Sequence, residues 1–324
     1  MNQYKSCLIV FVGATLAFLF FHVFLFYVNL GVPIEQDRYL QSRLEIKDNY
    51  AQSIAGRKIM IIAGSNAIFG IDAAQIEKTL KIPTVNYGVN AGLGYYLFER
   101  AKKNLKKGDI VILPLEYRYY ESHKNVFENE LAIYLTGYDK EYINNSLSFL
   151  DKINLITQLR TRDLLRFSYQ QIVPPNGEKQ RGSREKLDIN GDILTNKIED
   201  KKTDEELYAQ VKDKVFSDLP LTDDADQKLS DFITWCKANN ITVYATWPSY
   251  LCHDMIFSES DIEGINAIER FYQRHDVEIL GNYSDFLYDV AWFYDTIYHL
   301  NEKGKQKRTE HLLDLLRDKC IGLS

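Results

Sequence analysis

Only four cysteines occur in 324 residues, and one of them, Cys7, falls in a long apolar run. Cys236, Cys252 and Cys320 remain as an odd set without metal-ligand spacing, so no metal and no cofactor is expected. Buried or unpaired thiols are the reading for these three, with a Cys236–Cys252 disulfide left open for an oxidising compartment. Excess positive charge is also missing. A net charge of −6 gives no broad basic face, which excludes a nucleic-acid binder. There is no internal repeat, and no GlyXaaGlyXaaXaaGly or Walker pattern follows the first strand-like segment, which argues against a flavodoxin-like nucleotide binder. What is abundant is apolar surface: 45% hydrophobic residues, with 22 Tyr and 17 Phe, suit a globular fold rather than a disordered chain.

Charge is absent altogether from residues 6–34, which contain no Asp, Glu, Lys or Arg. A stretch of that length spans a bilayer as a helix, and its Leu30, Gly31, Val32, Pro33 exit offers no small-residue cleavage site. Residues 1–34 are therefore expected to be an uncleaved anchor crossing the membrane through about residues 7–31. Lys5 lies before the span while Glu35 and Asp37 follow it, so the positive-inside rule places the N-terminus in the cytoplasm and the main domain in the periplasm or outside the cell.

Beyond a polar stalk at 35–56, the pattern is α/β. LysIleMetIleIleAla (58–63) reads as a buried parallel strand. Asp72 with Gln75 reads as a capping box ahead of a helix, and a second strand follows Pro83 and ends near Tyr87. Residues 94–107 read as a helix stopped at Gly108, and 109–115 as a third strand. From 120 to 222 the composition turns charged, Asn-rich and Tyr-rich, with turn signals at 174–177 and 190–192, as in a partly helical insertion. The rhythm resumes with apolar spacing at Leu229, Phe232, Ile233 and Cys236, then strands at 241–246 and 277–280 and a closing helix over 301–317. Segments 57–119 and 223–324 are thus expected to build one parallel sheet of five strands covered by helices on both faces.

Open parallel sheets bind ligands at the carboxyl ends of their strands, so the residues just after each strand are the candidates. Ser65, in AlaGlySerAsnAlaIlePheGly (63–70), stands on a glycine-flanked turn where a hydroxyl is exposed as a nucleophile; Ser65 and Asn66 also read as simple turn caps. The loop 86–92 offers Gly88, Asn90 and Gly92 as oxyanion donors, or as ordinary turn residues. Before the last helix, Asp295 lies four residues ahead of His299, and an acid so placed can hold an imidazole in the tautomer that takes a proton from serine. Glu116 and Arg118 after the third strand read as substrate contacts or as a salt bridge supporting the loop, and Trp247 after the fourth as a sugar-stacking ring or a buried plug. Ser249 is a second serine in that loop.

This order of a Ser after strand one, a Gly/Asn turn after strand two and an Asp then a His near the C-terminus resembles the SGNH (GDSL-like) hydrolase superfamily, over about residues 58–116 and 228–316. The GlySer turn and the HisLeuAsn motif at 299–301 look closest to its membrane-anchored members in bacterial envelope polysaccharide and teichoic-acid modification. The resemblance implies a three-layer α/β/α, flavodoxin-like fold. It also implies Ser65 as nucleophile, His299 as base, Asp295 as orienting acid, and Gly88, Asn90 or Gly92 as oxyanion-hole contributors. The implied activity is O-acyl transfer, of acetyl or a similar group, or ester hydrolysis on an envelope glycan, beside a multipass membrane-bound O-acyltransferase. Two departures stand out. ProLeuGluTyrArg (114–118) replaces the family's GlyXaaAsnAsp block, and the acid precedes His299 by four residues instead of three, leaving Asp289 and Asp285 as alternatives. A catalytically inactive glycan-binding or assembly subunit is the competing expectation.

Overall fold

The computed structural model describes residues 2–121, 128–173, 186–211, 215–216, 221–251 and 258–321. The turn signal at 174–177 and Cys252 lie outside them. The chain forms two units, one of residues 1–41 with 125–181 and one of 42–124 with 182–324. Helix α1 (Asn2–Asn29) is apolar around its whole circumference, and its Tyr4–Asn29 stretch is long and apolar enough to cross a membrane. The polar segment expected as a stalk is instead largely helix α2 (Arg38–Ser53). Its buried residues Leu40, Leu44, Lys47 and Ala51 recur at helical spacing, and a lysine within that stripe masks it from a hydropathy reading.

Strand β1 (Ile59–Ile61) runs into helix α3 (Ser65–Gly70) and helix α4 (Ala73–Leu80), whose N-terminus is capped by Asp72 accepting from Gln75 N at 2.7 Å. Strand β2 (Thr84–Asn86), helix α5 (Tyr96–Lys102) and strand β3 (Ile110–Leu113) follow. Helix α5 ends short of Gly108. Beyond it Asn104 donates to Asp48, and Lys106 donates to the carbonyls of Ile54 and Ala55, so the chain leaves helical geometry to make those bonds.

The expected insertion at 120–222 divides between the two units. Helices α6 (Asn129–Tyr138), α7 (Lys140–Ser146), α8 (Phe149–Gln158) and α9 (Thr161–Ile172) belong with α1, while residues from 186 onward return to the sheet. There the turn at 186–194 covers the edge of β2, with Asn86 N donating to Asn190 O at 2.8 Å, and the short helix α10 (Asp204–Tyr208) follows.

Helix α11 (Asp223–Ala238) leads to strand β4 (Thr242–Thr246) and the short strand β5 (Tyr250–Leu251). Helix α12 (Glu259–Arg274), strand β6 (Glu278–Leu280), the short strand β7 (Leu287–Tyr288) and helix α13 (Glu302–Ile321) complete the chain. The main sheet has the order β2-β1-β3-β4-β6, every neighbouring pair parallel; β5 and β7 pair separately. With right-handed crossovers this order puts α4 on one face and α5, α11 and α12 on the other. Packing agrees: α13 lies against α3 and α4, and Phe98 of α5 stacks on Phe232 of α11 at 4.6 Å. The order reverses direction after β2, which makes the β1 and β3 exits the ligand-binding crevice of such a sheet. Cys236 is a free thiol on the buried face of α11, and burial pushes it up to about 12, which leaves it inert.

Among the described residues no carboxylate is hydrogen-bonded to Lys47. Its ammonium donates to Asn86 O at 2.6 Å and Gly191 O at 2.7 Å, and Gly191 (φ +90°) is a glycine because a Cβ there would lie 2.7 Å from that nitrogen. Burial drives the Lys47 pKa down to about 7, against the upward pull of Asp192. The unfolded chain keeps its proton up to the ordinary lysine range while the folded chain releases it, so folding stability should rise between pH 7 and about 10, at up to about 1.4 kcal/mol per pH unit. Urea unfolding of detergent-solubilised protein at pH 7 and pH 9.5 measures this rise, and Lys47→Met should flatten it.

Candidate functional site

Five chain segments meet at the carboxyl end of the main sheet. After β1 the chain turns at Gly64 so that Ser65 is the first residue of α3. Only glycine fits the turn: a Cβ on residue 64 would lie 2.4 Å from a Glu116 carboxylate oxygen and 2.6 Å from Ala91 Cβ. Those clashes show how closely the β3 exit and the 86–92 loop press on the serine turn. From the β3 exit, Glu116 is 2% exposed, and its carboxylate accepts from Gly64 N (3.0 Å) and Asn66 N (2.9 Å). Asn66 Nδ2 donates to Pro114 O at 2.8 Å. The ProLeuGluTyrArg segment thus braces the turn from beneath, and Glu116 is occupied as a brace, not free as a substrate contact. Arg118, two residues on, is exposed.

Helix α13 braces the same turn from the other side through Arg308, which is fully buried. Its Nη1 donates to Asn66 O (3.2 Å), Asn66 Oδ1 (3.0 Å) and Ser249 Oγ (3.4 Å), and its Nη2 donates to Trp247 O (2.9 Å). Burial lowers this guanidinium to about 10, with Tyr288 and Glu116 pulling the other way, so it stays charged at neutral pH. The arginine fork ties the β1 exit to the β4 exit. A lysine has one donor centre for acceptors on two segments, so Arg308→Lys should cost about 1–3 kcal/mol, read as a lowered unfolding midpoint.

Trp247 and Ser249 are turned into the fold. Trp247 is 3% exposed and donates from its indole to Gly281 O at 3.2 Å, while Ser249 is buried and donates to Tyr298 O at 2.8 Å. The indole is the plug, since its only hydrogen-bond donor is already spent inside the fold.

Asp295 and His299 come together, with His299 Nδ1 2.7 Å from Asp295 Oδ1. The four-residue spacing closes because the intervening chain makes a turn: His299 N donates to Thr296 Oγ1, and Tyr294 N donates to His299 O. A carboxylate only accepts, so Nδ1 carries the hydrogen and Nε2 is the basic nitrogen. No described residue hydrogen-bonds to that Nε2. Asp289 and Asp285 are both engaged elsewhere, accepting from Ala291 N and Asn282 N.

The imidazole lies flat on Phe69, at 4.1 Å between centroids and 6° between planes. Phe69 is four residues after Ser65 on α3, so the two share one helix face and the His299 ring sits one helical turn from the serine. Ser65 is half-buried, and its hydroxyl makes no hydrogen bond among the described residues. The site therefore has the acid–imidazole pair and a nearby serine, without a serine–imidazole hydrogen bond.

The expected oxyanion donors are partly spoken for. Gly88 N donates to the Asn86 side chain (3.1 Å) and Gly92 N to the Asn90 side chain (2.7 Å), because the loop uses Asn side-chain carbonyls to satisfy both of its turns. Donors without a hydrogen bond among the described residues include the Asn90 carboxamide nitrogen, the Ala91 N–H and the Ser65 N–H. Residue 91 abuts Gly64, which sets Asn90 beside the serine turn.

The sequence offers a turn cap for Asn66 and a loop-supporting salt bridge for Glu116, where the structure has Glu116 hold backbone amides instead, and it gives no bracing role to Arg308. A signal existed for the last: Lys305, Arg308, Thr309, Leu312 and Leu316 form one buried stripe on α13, and a base within an apolar stripe must find partners inside the fold. No group of three or more His, Cys, Asp or Glu able to hold a metal is present among the described residues. No family model and no curated protein matches the chain.

Proposed function

We propose that this protein is a membrane-anchored serine acyl-transfer enzyme or esterase of the SGNH type, acting on a cell-envelope polysaccharide. The observation that carries the reading is the Asp295–His299 pair, 2.7 Å apart and stacked on the helix that Ser65 begins. In this scheme the Ser65 hydroxyl attacks the acyl carbonyl and His299 Nε2 takes its proton. The oxyanion is held by the Ser65 N–H and the Asn90 amide, and the alcohol of the donor ester leaves with the proton from His299. A sugar hydroxyl or water then accepts the acyl group by the reverse sequence. Ser65 reaches His299 by a side-chain rotation on ester binding, since catalytic hydrogen bonds often tighten only in the complex. Residues of the apolar N-terminal helix anchor the chain with its N-terminus in the cytoplasm. In the transferase form of this proposal the acyl donor is supplied by a multipass O-acyltransferase.

One observation favours a second reading, a glycan-binding or assembly subunit without catalysis. Glu116 holds two of the amides at the serine turn, and its negative charge opposes an oxyanion forming nearby. The test that separates the two is covalent. Full-length protein incubated with 4-nitrophenyl acetate at neutral pH should gain one acetyl group by intact mass, located on the peptide that contains Ser65. Protein whose mass stays unchanged, while mixing with envelope glycan still shifts its unfolding midpoint, belongs to the binding reading.

A further inference from the structure

Two helices in the unit that contains α1 leave apolar side chains in the open. Helix α9 buries Leu164 and Phe167 but exposes Leu165, Tyr169 and Ile172, at i, i+4 and i+7, as one stripe. Helix α8 buries Leu155 and exposes Phe149, Leu150 and Ile153. Exposed apolar stripes on two successive helices mark a surface with an occupant.

The attachment of these helices to α1 identifies that occupant. Asn29 donates to Leu164 O at 3.1 Å and to Ser168 Oγ at 3.0 Å, and accepts from Gln171 at 2.9 Å. Seven residues earlier, His22 Nε2 donates to Ile156 O at 3.0 Å, and Nδ1 pairs with the Thr161 hydroxyl at 2.8 Å. The α8–α9 turn is therefore fixed at the level of His22, and α9 is held again about 10 Å further along α1. Over that interval α1 still exposes Phe24, Tyr27 and Val28, so its lipid-type surface continues up to where α8 and α9 are attached. Counted from Lys5, the roughly 30 Å of a hydrocarbon core ends near residue 25, which sets the His22–Asn29 stretch across the headgroup boundary.

Charge points the same way. Residues 149–172 carry Lys152, Arg160, Arg162 and Arg166 against Asp151 and Asp163, in a chain whose net charge is −6. A locally basic, amphipathic helix pair at the end of a spanning helix has the chemistry of a segment that lies in an anionic membrane surface. We infer that α8 and α9 are an interfacial foot, with Phe149, Leu150, Ile153, Leu165, Tyr169 and Ile172 immersed at the headgroup–acyl boundary beside α1. The membrane contact is then a spanning helix with two further helices locked beside it, which restricts how α1 tilts and turns. This holds whatever the chemistry at Ser65.

The test uses the full-length chain in vesicles of phosphatidylcholine and phosphatidylglycerol, with lipid brominated along the acyl chain as quencher. Leu150→Trp and Leu165→Trp each add one fluorophore to Trp235, Trp247 and Trp292, and the signal is the difference from the parent protein. Phe18→Trp, in the middle of α1, establishes that the protein is inserted. Each foot variant should lose its added emission to brominated lipid to an extent approaching that of Phe18→Trp, and should resist acrylamide in the water. Added emission untouched by brominated lipid but quenched by acrylamide overturns the inference. Protection from both quenchers, with cross-linked dimers, overturns it in favour of a second copy covering the stripes. Unfolding midpoints matching the parent verify that both variants are folded, and an intact fold is expected because both positions are exposed.

Discussion

Ser65→Ala is expected to abolish acetylation by 4-nitrophenyl acetate and to lower steady-state release of 4-nitrophenolate by roughly 10⁴-fold or more. His299→Ala should match it, since a serine hydroxyl without its base is a weak nucleophile at neutral pH. Asp295→Asn should cost less, about 10²–10⁴-fold, because the amide holds the ring through Nδ1 while disfavouring the tautomer that leaves Nε2 basic. The pattern matters more than any single value. Residues that act as a unit lose their effect together, so Ser65→Ala combined with His299→Ala should be no slower than either change alone. Three independent contributors would instead multiply their losses. Wild-type turnover no faster than that of Ser65→Ala, with no covalent adduct, sinks the enzymatic reading and leaves the glycan-binding subunit. Stability should hardly move in Ser65→Ala. The Ser65 hydroxyl makes no hydrogen bond among the described residues, so unfolding midpoints serve as the control that the losses are chemical.

The parts of the fold that were legible in the sequence are those whose burial is continuous. Strands β1 and β3 are fully buried parallel strands, and their apolar runs are visible without any neighbour being known. The same holds for the order of β1, α4, β2, α5 and β3, each bounded by a turn residue such as Gly64, Pro83 or Gly108. Helix α2 was missed for the opposite reason. Its buried stripe includes Lys47, whose burial depends on the carbonyls of Asn86 and Gly191, far away in sequence. The division of 120–222 was equally hidden, because the bonds that hold α9 to Asn29 span more than 130 residues. In the candidate site, Ser65, Asp295 and His299 were legible as loop residues at strand ends. The occupation of Gly88 and Gly92 was not, since it depends on which side chain reaches which amide. Glu116 shows the limit most clearly: from its position it reads as a substrate contact or as a salt bridge supporting its loop, and from its hydrogen bonds as the brace of two amides of the serine turn.

A larger loss of stability, with no direct effect on the serine chemistry, is expected at the opposite end of the sheet. Lys58 and Asp109 open the first and third strands and form an ion pair of 2.6 Å with side chains 1% and 0% exposed. Asp109 also accepts from Lys58 N at 3.0 Å and Lys106 N at 2.9 Å, so it satisfies two backbone amides besides the ammonium. Burial pulls the Lys58 ammonium down, and Asp109 is what holds it up. Asp109→Ala strands a buried cation and two amides at once and should cost about 3–5 kcal/mol in urea unfolding, with an unchanged slope. Adding Lys58→Met to it removes the stranded charge but not the stranded amides. The double variant should therefore lose less than the sum of the two single losses, with a coupling of about 1–3 kcal/mol. Strict additivity would mean that the two side chains contribute separately and that water reaches the pair. Because the pair lies at the amino ends of β1 and β3 and Ser65 at the carboxyl ends, the protein that remains folded should still be acetylated at Ser65. Loss of acetylation in folded Asp109→Ala would show that the sheet transmits strain along β1 into the serine turn.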